Sequence, residues 1–247
     1  MESSEEDFCG IPKGFESLEE TAVFQFDCHK GLLCFTECCR LLELALSPYD
    51  MLRLCRATGL SSADFLDRYV IVEDEDGDFF PRLFLAMVDD GRASCPFVSR
   101  QGCSVYPDRP SACRTYPLGR GYRRLASGKS EEKFILLREP HCHGFTVARE
   151  QTVHDYCVEQ GLEEYHRFND RMGLIFNNPG LLKRSPLGPD EKARYLLFLY
   201  DLDTLRLELR DGRIAGITPV AAQRLVAGTD EDLLGWAIEW LARLLFP

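Results

Sequence analysis

"DCHKGLLCFTECCR", residues 27–40, places four cysteines and a histidine in fourteen positions and ends with two cysteines side by side before an arginine. Thiols this dense are disulfide partners, buried small hydrophobes, redox nucleophiles or metal ligands, and each reading demands something different of the remaining chain. The spacing is C-x5-C-x3-C-C. It matches neither a C-x2-C zinc knuckle nor the C-x2-C-x2-C-x3-C-P run of bacterial ferredoxins. Adjacent side chains diverge on a strand and stand about 100° apart on a helix, so one zinc ion suits Cys38 and Cys39 together poorly. Two metals, or two irons of a cluster, could use both.

The totals narrow the choice. With 247 residues and 45% hydrophobic content, the chain can bury the core of one sizeable domain or two small ones. Its 29 basic and 40 acidic residues leave a net charge of −11, which argues against generic nucleic-acid binding, since phosphate neutralisation needs positive charge. No apolar run reaches the roughly 18 residues that a membrane helix requires. The start, "MESSEEDFCG", is acidic where a secretory signal is basic and then apolar, so a cytoplasmic location is expected. The cysteine count, 11, is odd, and reducing cytosol keeps thiols unpaired. A disulfide framework is therefore disfavoured, and metal or redox chemistry is favoured.

The cysteines then sort by context. Cys28, Cys34, Cys38 and Cys39 form one cluster; "CPFVSRQGCSVYPDRPSACRTYP" (95–117) supplies Cys95, Cys103 and Cys113; "HCHGF" (141–145) holds Cys142. These eight sit in loop-like sequence beside glycine, proline or polar residues. Cys55 and Cys157 lie on helical patterns and read as buried thiols, while Cys9 falls in an acidic lead-in and has no assignment. Eight thiolates are two sets of four, and four are what a tetrahedral zinc or a cubane iron–sulfur cluster takes. Both metals are soft enough to prefer sulfur, and coordination drives off the thiol proton. The expected metal ligands are thus Cys28, Cys34, Cys38, Cys39, Cys95, Cys103, Cys113 and Cys142. The expected cofactor is an iron–sulfur cluster, with the 4Fe–4S type favoured, or zinc. A structural zinc site contributes ~10–16 kcal/mol to folding in small peptides against a typical stability margin of ~5–15 kcal/mol, so the loop-rich half should depend on its metal.

Along the chain, residues 1–26 read as a loose acidic lead-in. Ser47-Pro48-Tyr49-Asp50 starts a helix that stops at Gly59, and Ser61 with Asp64 starts a second. "VEDEDGD" (72–78) reads as a turn at Asp76-Gly77 and not as a calcium loop, because Leu85 stands where the closing glutamate belongs. "FFPRLFLAMV" (79–88) reads as an edge strand on account of Pro81, residues 91–121 show no helical period, and "KFILLRE" (133–139) reads as a strand. Helices follow from Thr152 to Gln160, through "EEYHRFNDRMGLIF", from Pro189-Asp190, after Asp203 as a cap, and from Thr218-Pro219 and Thr229-Asp230. The last carries Leu233, Leu234, Ile238, Leu241 and Leu245 on one side. The fold expected is mainly α (α+β): a metal-organised, loop-rich cysteine half over 27–145 with a small β element, packed as one globular unit against C-terminal helices over 146–247.

Other chemistry is thinner. His141 and His143 flank Cys142 and read as supporting or surface groups, since thiols already suffice; His154 and His166 read as surface residues on helices. Arg109, Arg114, Arg120, Arg123, Arg124, Lys129 and Lys133 form a local basic excess. It is read as a solvated face, as charge compensation for negative thiolate centres, or as a docking patch for an acidic protein or anionic cofactor. "PLGRGYRR" is the nearest glycine-rich stretch and matches no G-x-G-x-x-G. No C-x3-C-x2-C, GxSxG, HExxH or Walker loop is present, so catalysis has no independent support.

In order along the chain, "FQFDCHKGLLCFTECCRLLELALSPYDMLRL", "LSSADFLDRY", "CPFVSRQGCSVYPDRPSACRTYPLGR" and "CHGF" resemble the YkgJ-type cysteine-cluster family. That family is described as a zinc- or iron-chelating domain and is related to the flagellin lysine N-methylases of bacteria. Its hallmark is a C-x2-C-x2-CC run, then C-P-F, a G-x-C-S-x-Y-x-x-R-P-x-A-C-R segment and a late cysteine; here the first two gaps are longer and contain His29 and Phe35. The resemblance covers about residues 24–145, extends towards "VEQGLEEYHRFND", and implies the same eight cysteines as the cluster. Three functions are carried forward. The first is a cytoplasmic protein binding one or two metal centres through thiolates, iron–sulfur before zinc, in a redox or binding role. The second, by kinship, is an S-adenosylmethionine-dependent enzyme that modifies a protein or peptide. The third is a structural zinc module for protein interaction. A protein or peptide partner is expected, and neither nucleic acid nor membrane.

Overall fold

The computed structural model describes residues 16–75, 77–124 and 129–246. Cys9 and Asp76 lie outside the described residues. Two short strands, β1 (Glu16–Leu18) and β2 (Val23–Gln25), open them. Sequence reads only a loose lead-in here, yet Leu18, Phe24 and Phe26 are buried and give these strands a face to pack.

Helix α1 (Pro48–Thr58) begins as its sequence dictates. The Ser47 hydroxyl accepts from the Asp50 N–H, the Asp50 carboxylate accepts from the Ser47 N–H, and Gly59 at φ 69° closes the other end. Helix α2 (Ser62–Tyr69) runs directly into β3 (Val70–Glu73), which pairs antiparallel with β4 (Arg82–Leu85). Pro81 stands just before β4, where its missing N–H costs no ladder bond. The loop-rich stretch that follows holds a tight hairpin, β5 (Val98–Ser99) and β6 (Gly102–Cys103). It also holds one short helix, α3 (Ser111–Thr115). Sequence periodicity misses α3, because five residues are too few to display a 3.6-residue repeat.

Strands β7 (Leu118–Arg124) and β8 (Ser130–Leu136) pair antiparallel, and β1 lies on the other edge of β8; β9 (Glu150–Thr152) pairs with β2. Beyond them the chain is helical: α4 (Val153–Glu159), α5 (Glu163–Phe176), α6 (Pro189–Tyr200), α7 (Leu202–Arg210), α8 (Pro219–Ala227) and α9 (Asp230–Leu245). The cap of α7 is Asp201, which accepts from Thr204, and not Asp203, which instead binds Ser62 on α2. Helix outweighs strand, 47% against 17%, in an α+β fold of small sheets.

Two apolar clusters organise these elements. The larger runs from Leu44 to Leu245 and draws residues from α1, α2, α5, α6, α7 and α9, so both sides of residue 145 share one core. On α9, Leu233, Leu234, Ile238 and Leu241 are fully buried, each contributing roughly 1.5–3 kcal/mol as an upper estimate. Arg56 on α1 grips the Glu231 carboxylate with both terminal nitrogens at 2.9 and 3.1 Å, tying α1 to α9. The smaller cluster joins Leu18, Phe24 and Phe26 to Leu118, Phe134, Leu136, Val153 and Tyr156. The cysteine loops lie where these two clusters meet.

Candidate metal centre

All eight loop cysteines line one cavity of about 230 Å³ between the two cores. Distinct local devices carry each of them there. Beyond β2 the chain stays extended: Phe26 donates to the Arg149 carbonyl at 3.0 Å and Asp27 to the Gly144 carbonyl at 3.1 Å, which sets Cys28 against the turn bearing Cys142. Gly144 permits that approach, since a Cβ there would stand 2.4 Å from the Phe26 ring and 2.8 Å from the Asp27 carbonyl oxygen. The backbone N–H of His143 points at Cys34 Sγ at 3.2 Å. Such a donor orients a metal-bound sulfur.

Cys38 and Cys39 share a 3-10 turn, Glu37–Cys39. Around it the backbone is strained: Thr36, Leu41 and Ala93 have φ of 71°, 52° and 45°. Left-handed non-glycine residues cost of order 1–3 kcal/mol each and persist only where neighbours impose them. Here Leu41 donates to the Ala93 carbonyl at 3.1 Å and Cys95 to the Cys39 carbonyl at 2.8 Å. Cys95 is then held to the β5–β6 hairpin, where Val98 pairs with Cys103 and donates to the Cys95 carbonyl. Gly102, at φ 114°, makes that tight turn accessible.

Cys113 rides on α3, and a buried carboxylate fixes α3. Asp50 accepts from the Ser111 N–H at 2.6 Å and the Ser111 hydroxyl at 3.0 Å while capping α1. Sequence shows the capping role of Asp50 and not this second one. Cys55 and Cys157 stay outside the cavity, packed on the cores.

The ten described cysteines are all free thiols. Their acidities follow from crowding. Cys28 is pushed up to about 11 by the protein around it, then by Cys38, Cys34 and Cys142. Cys113 is pushed up to about 12 by burial, then by Cys95 and Cys38. Burial likewise raises Cys95 and Cys103. The Cys39 thiol donates to Cys38, which draws Cys38 below the ordinary thiol range and lifts Cys39 above it. As placed, no three His, Cys, Asp or Glu side chains among the described residues stand at metal-ligating distance of one point. The thiols surround a common space without closing on it.

The basic excess divides sharply. Arg120 pairs with Asp170 and Glu132, and Arg123 with Glu131. Arg109 and Arg114 are 9% and 7% exposed, buried against the cysteine loops. Arg109 lines the cavity, donates to the Tyr106 carbonyl and Gln160 Oε1, and lies over the Tyr106 ring. Arg114 is held by the carbonyls of Arg109, Gln160 and Pro107. Among the described residues neither guanidinium has a carboxylate partner. A buried cation without a counter-ion is costly, so these two call for negative charge nearby.

A second, larger cavity of about 970 Å³ adjoins the first and shares Cys38, Tyr116 and His141 with it. Arg92–Glu37 at 2.7 Å and Arg120–Asp170 at 2.6 Å neutralise its wall charges pairwise. His166 lines it too. Sequence reads this histidine as surface, yet its Nε2 is buried without a hydrogen-bond partner, and burial with nearby Arg120 lowers it to about 4. The Tyr116 hydroxyl is also buried and unpartnered, facing Cys142 and Glu139. No short-range motif marks either residue; only the fold brings them to the cavity wall.

Residues 27–143 match a family model named CxxCxxCC, described as a "putative zinc- or iron-chelating domain". No curated protein and no solved structure matches the chain. No helix among the described residues is long and apolar enough to cross a membrane. The stretch that matches this cysteine-cluster model, residues 27–143, is the one that brings all eight thiols to one cavity.

Proposed function

We propose that the chain binds metal through Cys28, Cys34, Cys38, Cys39, Cys95, Cys103, Cys113 and Cys142, with iron–sulfur chemistry ahead of zinc, in a redox or binding role. The observation that carries this is one cavity lined by eight unpaired thiols and by the buried guanidinium of Arg109, which has no carboxylate partner among the described residues. The donor set fits. Soft thiolates select iron–sulfur clusters and zinc over harder ions, and eight exceed what one zinc can use. When bound, an iron–sulfur centre supplies one-electron chemistry at a potential set by charge, hydrogen bonds and solvent access.

The chain's own residues have separable tasks. The eight thiols surrender their protons, and with most of them pushed upwards, binding is coupled to proton release. Arg109, on the cavity wall, offsets the resulting negative charge. The His143 N–H orients Cys34, and Tyr116 can donate to Cys142. Phe26, Phe97 and Tyr156 line the cavity and keep water from its apolar side. Unpaired thiols also suit a reducing cytoplasm.

Anaerobic purification of the full chain, with elemental analysis and a visible spectrum, tests this. Brown protein with iron and acid-labile sulfide is the expected result. Colourless protein with stoichiometric zinc would replace the redox reading with a structural zinc module, and metal-free protein that takes up neither metal would end both. A second reading, an S-adenosylmethionine-dependent enzyme acting on a protein or peptide, draws support from the 970 Å³ cavity beside Cys38. Calorimetric titration of metal-loaded protein with S-adenosylmethionine decides it; no binding at millimolar ligand removes it.

A further inference from the structure

We infer that the 970 Å³ cavity is a binding site for an amphipathic organic carboxylate, with Arg40 taking the carboxylate and one face of α5 running along the ligand's body. The assignment names a ligand class and not an activity, and it stands whether or not the thiols hold metal.

Unsatisfied polar atoms gather at this cavity. Among the described residues, five buried side-chain nitrogens or oxygens have no hydrogen-bond partner, and three belong to residues that line it: Arg40 Nε, Tyr116 Oη and His166 Nε2. Leaving such groups unpaired is costly, so their meeting at one open space points to a bound molecule. A guanidinium N–H only donates, and Arg40 therefore needs an acceptor, whereas the phenol and the imidazole can serve in either sense.

Charge selects the acceptor. Arg92 holds Glu37 at 2.7 Å and Arg120 holds Asp170 at 2.6 Å, which neutralises those pairs. Arg40 comes only within 3.9 Å of Glu37, and its Nη1 is turned to the carbonyl and hydroxyl of Thr36. Glu139, the remaining acid of the wall, stands exposed beside His141 at 3.7 Å. A single guanidinium without a close counter-ion, set among neutral donors, suits one carboxylate better than a phosphate dianion.

The rest of the wall describes the ligand's body. His166, Asn169, Asp170, Gly173 and Asn177 line the cavity from α5 and its cap, over about 16 Å at 1.5 Å per residue. The other face of α5, with Tyr165, Phe168, Met172 and Ile175, lies in the larger core. Gly173 weakens the helix interior, and packing does not demand it, since a Cβ there would meet nothing nearer than 3.7 Å. Its use is the room it leaves. Opposite in character, Leu41, Leu118, Leu137 and Phe176 give apolar surface. Leu41 is 84% exposed and left-handed at φ 52°, and its N–H bonds the carbonyl of Ala93, itself at φ 45°. Strained backbone of this kind clusters at ligand clamps. The volume lies at the upper end of the ~300–1,000 Å³ usual for small-molecule sites.

Ligand-observed saturation-transfer NMR on the full-length protein as purified tests this, with phenylbutyrate and its uncharged amide, phenylbutyramide, as probes. Phenylbutyrate should bind at millimolar concentration and the amide at least tenfold more weakly. Arg40→Gln should bring the acid down to the affinity of the amide. Gly173→Leu fills the large cavity with a better helix former and does not touch the thiol-lined one, so it should abolish binding while the thermal midpoint holds. Where either variant fails to fold, the comparison of acid with amide on wild type decides. Equal affinity for the two probes, binding that survives Gly173→Leu, or no saturation transfer from either probe at millimolar concentration overturns the assignment.

Discussion

Arg109 and His166 show how single side chains constrain the function. Arg109 is a buried cation at the wall of a thiol-lined cavity, paired only with neutral acceptors. Its charge is best satisfied when the thiols are ionised. Arg109→Gln is expected to weaken metal binding roughly tenfold, or about 1.4 kcal/mol, while Arg109→Lys keeps most of the affinity; competition with a chromophoric chelator measures both. Equal affinity in Arg109→Gln and wild type would mean that the charge plays no part. For His166 the sign is the reverse of a salt-bridged histidine. Its folded value of about 4 lies below the ordinary ~6.5, so the unfolded chain binds more protons between those values. The stability from this neutral, buried ring is complete above ~6.5 and is lost as pH falls towards 4. Urea midpoints followed through that window should decline less in His166→Gln than in wild type.

At the scale of elements, turns and caps aim the cysteines more than strands and helices do. The tightest junction is that of the 142–145 turn with the segment after β2. Gly144→Ala forces a Cβ onto the Phe26 ring and the Asp27 carbonyl oxygen, at distances real contacts do not reach. Overpacking of this kind costs typically 1–3 kcal/mol. Because the same junction brings Cys28 and Cys34 to Cys142, metal content should fall with the denaturation midpoint. A variant that loses stability but keeps its full metal complement would separate the junction from the site. The capping pairs Ser47–Asp50, Ser61–Asp64, Thr152–Asp155 and Thr229–Asp232 are all formed, and each is local enough to read from four residues.

For the whole molecule, regular structure and cysteines are unevenly shared. Helices α5, α6 and α9 rest on the larger core with fully buried leucines and aromatics, whereas residues 27–46 and 91–117 hold short turns around the cavity. Removing metal with a chelator under reducing conditions should therefore expose amides in those two stretches to hydrogen exchange and spare α5, α6 and α9. Exchange mapped by mass spectrometry checks this; identical protection with and without metal would show that the loops hold themselves. Such a graded response is what local unfolding of a poorly cored region predicts.

What the sequence alone determined is the set of eight loop cysteines, the helix starts other than those of α3 and α7, and the α+β class, because capping, turn chemistry and periodicity act over a few residues. Asp50 could be read as a cap, but not as the anchor of α3 more than sixty positions away. Arg109 and Arg114 could be read as basic, with compensation of thiolate charge as one of three alternatives, but not as buried; His166 looked like surface and lines a cavity. Tertiary structure alone decided these, and it alone decided that Glu16–Leu18 and Val23–Gln25 are strands. Burial and through-space charge depend on which distant segments meet, and only the packing of two separate cores fixes that.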